Sequence, residues 1–139
     1  MNIEPLKREL KEEIQHRNYD SLIYKLFDES NTTPFAVHLF YKNHLFMVNF
    51  RDDRSYVHGK TFEFTNFLEA KDKFFNLLDF IVREGRRYVA IRGSYMYSSP
   101  LWDNHKNKNQ KGIMQHSLLN SFFYAQKTRA FKTKARVKV

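Results

Sequence analysis

Residues 35–50 read Phe35-Ala36-Val37-His38-Leu39-Phe40-Tyr41-Lys42-Asn43-His44-Leu45-Phe46-Met47-Val48-Asn49-Phe50, and this stretch decides the fold. Two runs rich in β-branched and aromatic residues are separated by Lys42-Asn43-His44, the length of a tight hairpin loop. Asn43 is a residue type that tolerates the positive φ such loops require. The spacing predicts an antiparallel hairpin over 35–50. Arg51-Asp52-Asp53-Arg54-Ser55 follows as a polar turn, before a third strand at about Tyr56 to Phe64 in which Gly59 marks a bulge.

Helical patterns lie on either side. Upstream, Ile3, Leu6, Leu10 and Ile14 recur at helical spacing opposite Lys7, Arg8, Lys11, Glu12 and Glu13. A second short helix through Leu22, Ile23, Leu26 and Phe27 is expected after a break at Asn18-Tyr19-Asp20, capped by Asp20 or Ser21. Downstream, Asn66-Phe67-Leu68-Glu69 has the form of a capping box, and Phe67, Ala70, Phe74, Leu77, Leu78 and Ile81 trace one apolar face. Gly85 stands where a C-terminal cap is expected. Arg87-Tyr88-Val89-Ala90-Ile91-Arg92 then reads as a fourth strand with room to run on to Tyr97, and Ile113, Met114, Leu118, Leu119, Phe122 and Phe123 as a last helix.

The expected fold is α+β, in the order α-β-β-β-α-β-α. A small, mostly antiparallel, hairpin-led sheet of about four strands carries its helices on one face. A single domain over 1–126, followed by a basic tail at 127–139, is the expected organisation.

With 139 residues the chain is long enough to bury a core without metals or disulfides, and having no Cys it has neither thiolate ligands nor a Cys nucleophile. The first residues carry mixed charge rather than an apolar signal region, and no apolar run approaches bilayer length, so a cytoplasmic location is expected. Phe and Tyr are abundant, with 14 and 8 copies, against 4 Gly and 3 Pro, the usage that AT-rich codons deliver. A low-GC bacterium, or a phage or mobile element within one, is the expected source.

The charge of +9 is uneven. Residues 1–33 carry five basic and seven acidic residues, residues 34–85 seven of each, and residues 86–139 twelve basic residues against Asp103 alone. A one-signed surface of this kind attracts polyanions; the competing reading is a solvated tail. Arg86, Arg87 and Arg92, interleaved with Tyr95 and Trp102, would pair with phosphates and stack on bases. Lys106, Lys108, Lys111, Lys127, Arg129, Lys132, Lys134 and Arg136 would track the phosphate backbone without reading sequence.

Enzyme signatures are weak. His38 and His44 straddle the hairpin and His58 lies near Asp52 and Asp53 in the chain, but no metal-binding spacing is present. Asp52 and Asp53 with Glu69-Ala70-Lys71 resemble the acid…acid-x-Lys layout of restriction-type nucleases, except that Glu69-Ala70-Lys71 opens the strongest helix instead of lying on a strand. There is no P-loop, nucleophile elbow or dinucleotide fingerprint. The leading expectation is therefore a non-enzymatic, cofactor-free nucleic-acid-binding accessory protein that takes DNA, RNA or a nucleoprotein as partner. The alternative is a small inhibitor or adaptor that binds a host protein, in the manner of anti-CRISPR or anti-restriction proteins, and the third reading is a small nuclease.

Overall fold

The structure, a computed structural model, describes residues 1–105. It divides into two compact units, Met1–Ile81 and the part from Val82 onward, with the boundary inside one helix.

In the first unit, α1 (Glu4–His16) starts with Pro5 in its first turn and buries Leu10 and Ile14 completely. This is the face that the helical spacing predicts. The sheet has four strands in the order β1 (Tyr24–Leu26), β2 (Val37–Lys42), β3 (Leu45–Phe50) and β4 (Phe62–Phe64). The β2–β3 hairpin closes through Asn43 and His44, both at positive φ (54° and 65°), with Lys42 opposite Leu45. Two consecutive positive-φ residues make the type I′ geometry that matches strand twist. β4 pairs antiparallel with β3, placing Phe62 opposite Val48 and Phe64 opposite Phe46. Between the two strands only Arg51 and Val57 form a bridge, and Gly59 takes φ 79°. The third expected strand is thus present at its two ends and irregular between them.

The short helix expected at Leu22–Phe27 is β1 instead, which runs parallel to β2 with Tyr24 opposite Val37 and Leu26 opposite Leu39. Val37 donates its N–H to Ile23 O at 3.1 Å, and Phe27 donates to Leu39 O at 2.7 Å. So short a segment gains little from helical bonds, whereas an open sheet edge satisfies its backbone at once. The fold remains α+β, and its sheet is mixed because of this one parallel edge.

The helix α2 (Phe67–Arg92) opens as its sequence demands, with Asn66 Oδ1 accepting from Leu68 N at 2.7 Å and Glu69 N at 3.3 Å. It then continues for 26 residues, about 39 Å, instead of ending at Gly85. Arg87–Arg92, expected as a strand, forms its last turns. The capping glycine is Gly93, at φ 91°, whose N–H bonds Val89 O at 2.9 Å. Gly85 serves a different need. A Cβ there would stand 2.6 Å from Trp102 Cε3, so only glycine lets the indole lie against the helix. The short α3 (Pro100–Asp103), capped by Ser99 Oγ accepting from Leu101 N, carries Trp102.

Within the first unit, the early turns of α2 lie on one sheet face. Phe67 meets Phe46 of β3 edge-on at 5.5 Å, Phe74 meets Tyr24 of β1 at 6.5 Å, and Lys73 Nζ sits 4.0 Å from the centre of the Phe62 ring of β4. Helix α1 is tied to α2 by charge. Lys71 reaches Glu9 at 2.8 Å and Glu13 at 3.7 Å, and Arg17 joins Glu13 at 2.7 Å to Asp79 at 3.2 Å while lying 4.5 Å from the Phe75 ring centre. Two of the seven acids of residues 1–33, Glu9 and Glu13, lie on this seam. Truncating Phe74, which has no exposed surface, to Ala is expected to cost about 3–5 kcal/mol in urea unfolding. Leu68→Ala, on the exposed side of the same helix, stays within about 0.5 kcal/mol. Equal costs would contradict this placement of the helix.

Candidate functional site

The residues expected to bind nucleic acid are placed in three ways. Lys106, Lys108, Lys111, Lys127, Arg129, Lys132, Lys134 and Arg136 lie outside the described residues, as do the expected last helix and the domain boundary at 126. Arg86, Arg87 and Arg92 lie on α2, so the strand expected over Arg87–Arg92 is helix instead. Each also has local work in the second unit: Arg86 Nε donates to Leu101 O at 3.1 Å, Arg87 approaches Glu84 at 3.5 Å, and Arg92 lies 5.8 Å from the centre of the Tyr88 ring.

Tyr95 and Trp102 belong to that unit's core. Trp102 has no exposed surface and donates its indole N–H to Tyr97 O at 2.8 Å. Tyr95 packs 5.1 Å from Tyr88 and 5.2 Å from Trp102, and burial together with the Glu84 carboxylate drives its phenol pKa far upward. Trp102, fully buried, has no face for a base, while Tyr95 is half-buried between Tyr88 and Trp102.

The enzyme-like residues are likewise dispersed. Asp52 builds the turn after β3: its Oδ1 accepts from Arg54 N at 2.9 Å and Tyr56 N at 3.0 Å, and these N–H groups hold its pKa below the usual carboxylate value. Lys71 is committed to Glu9 and Glu13. The nuclease layout is therefore split between a turn and a helix seam. Among the described residues no three His, Asp or Glu side chains converge as metal ligands.

His38 does not approach His44. It faces Asn49 across β2 and β3, with 1% of its surface exposed, while His44 sits in the exposed turn. Its Nε2 has no hydrogen-bond partner, and neither do Asn49 Oδ1 on β3 or Arg51 Nε just after it. Burial, helped by the Arg51 guanidinium, lowers the His38 pKa to about 4, so the ring is neutral at pH 7 and sealed from substrate. Sequence reasoning singled out His38 but missed Asn49, which strand register places opposite it, and Arg51, whose charge acts on it from just beyond β3.

One surface feature is absent from any motif. Lys60 and Lys73 both approach the Phe62 ring, at 5.0 and 4.0 Å from its centre, on the edge strand β4. Burial and the Lys60 ammonium hold the Lys73 pKa below its ordinary value, whereas the acid-paired Lys71 is raised. Large apolar side chains stand exposed on either side of β4 in the chain, Tyr56 at 64% and Leu68 at 62%.

The unfolded chain binds a proton at His38 near pH 6.5 and the folded one only near 4, so stability falls as pH drops through that window. Between pH 7.5 and 5 the loss due to His38 is expected to be about 2 kcal/mol in urea titrations. His38→Gln should remove that slope; an unchanged slope would contradict a buried neutral imidazole.

No curated protein and no solved structure matches the chain. The profile of the Immunity protein 59 family matches residues 3–103, which is 101 of the 139 residues and nearly the whole of the described fold. The chain belongs to the Immunity protein 59 family.

Proposed function

We propose that this protein neutralises a protein toxin by binding it, acting as a stoichiometric inhibitor and not as a catalyst. The observation that carries the reading is the family match over residues 3–103. Its value is sharpened by where the charge lies. Residues 1–105 contain fifteen basic and fifteen acidic residues, whereas 106–139 contain nine basic residues and no acid. The basic excess that favours nucleic acid thus falls wholly beyond the family segment. Within 1–105 the charges balance, as suits recognition of a protein surface by local complementarity.

The burial of Trp102 supports the same reading, since it withdraws one of the rings that a base-stacking surface would use. A second reading concerns residues 106–139 alone. Nine cations without a carboxylate give that segment the composition of a polyanion-contacting tail, which would add to toxin binding without replacing it.

The test is genetic and then biochemical. Each open reading frame neighbouring this one is expressed alone and together with it. One of them is expected to arrest growth alone, and co-expression is expected to restore colony formation. The two purified proteins should form a complex that survives nuclease treatment. A toxic neighbour that this protein fails to counteract, or a complex that falls apart when nucleic acid is digested, would contradict the reading.

A further inference from the structure

We propose that the pair Lys60 and Lys73, converging on the Phe62 ring of the edge strand β4, is the docking point for a single side-chain carboxylate of the partner toxin, held by the two ammonium groups. This deepens the toxin-binding reading and rests on it.

Three observations point to the site. First, the two lysines converge on one ring, and among the described residues no carboxylate stands at ion-pair distance from either, whereas Lys71 on the same helix meets Glu9 at 2.8 Å. Glu69 stands one helical turn before Lys73, where an i,i+4 pair commonly forms, yet Lys73 lies over Phe62 instead. Second, the two cations disfavour one another, and the lowered pKa of Lys73 records this together with its burial. The ring offsets only part of that cost. An incoming anion would relieve it. Third, β4 ends the sheet, and it is followed and preceded in the chain by the exposed Leu68 and Tyr56. Exposed aromatic side chains such as Tyr56 are enriched at protein interfaces.

The surroundings select a protein carboxylate over a nucleic-acid backbone. Glu69 and Asp72, four residues and one residue before Lys73 on α2, are exposed acids. A phosphate chain passing over Lys60 and Lys73 would run into these like charges. A single carboxylate in an otherwise apolar or basic segment would not.

The probe is the toxin identified by growth rescue, titrated calorimetrically against the full chain. Lys60→Glu/Lys73→Glu is expected to weaken binding about a hundredfold and Lys60→Gln/Lys73→Gln by about tenfold, with the loss growing as salt is lowered. Lys7→Glu/Lys11→Glu on α1 is the charge-matched control and should bind as the unaltered chain does. A charge-reversed variant that is folded by circular dichroism and binds the toxin normally overturns the docking site while leaving the toxin-binding reading intact. Failure of the unaltered chain to bind the toxin overturns both. A variant that loses binding to an oligonucleotide and keeps the toxin overturns the choice of partner. Amine labelling of the unaltered complex gives an independent reading that needs no variant: Lys60 and Lys73 are expected to be protected on toxin binding, and full reactivity of both would overturn the proposal.

Discussion

The seating of Phe74 on the sheet is the constraint from which the rest of the first unit follows. The ring has no exposed surface and meets Tyr24 of β1 on one side and Phe75 on the other. With Phe67 against Phe46, it fixes the early turns of α2 across β1 and β3 and so determines which helix residues reach the far edge. Lys73, the residue before Phe74, is thereby turned toward β4. Asp79 and Lys71 are turned toward α1, where Arg17, Glu9 and Glu13 receive them. A buried aromatic thus organises a surface: one side of the helix is neutralised by α1, and the other leaves two cations over Phe62.

The elements legible in the sequence were those whose signals are local. The hairpin needed only two β-rich runs and a loop of Asn43 and His44, and the start of α2 needed only Asn66. The misread parts depend on contacts far along the chain. Gly85 resembles a helix terminator, and nothing nearby reveals that its missing side chain makes room for Trp102. Beyond it, Tyr88-Val89-Ala90-Ile91 has the composition of a strand. The helical period could have corrected this, because Leu78, Val82, Gly85 and Val89 continue one buried stripe past the glycine. β1 was illegible for the opposite reason: three residues carry almost no period, and their state is decided by the edge of β2.

The candidate site was hidden by the same logic. Lys60, Phe62 and Lys73 are unremarkable in sequence, and their meeting depends on the register of β4 and the seating of α2. The conspicuous charge, by contrast, lies elsewhere in the chain. It is concentrated in residues 106–139, beyond the family segment, while the arginines of α2 that extended it are committed to Leu101, Glu84 and Tyr88. Net charge describes the whole chain; recognition depends on which charges a fold leaves unanswered.

Hydrogen–deuterium exchange of the full chain, free and bound to its toxin, tests the central claim most directly. Slower exchange concentrated in residues 56–64, with α1 and the α2–α3 region unchanged, is the result this account predicts. Protection confined to residues 106–139, with the β4 edge exchanging as in the free protein, would contradict it.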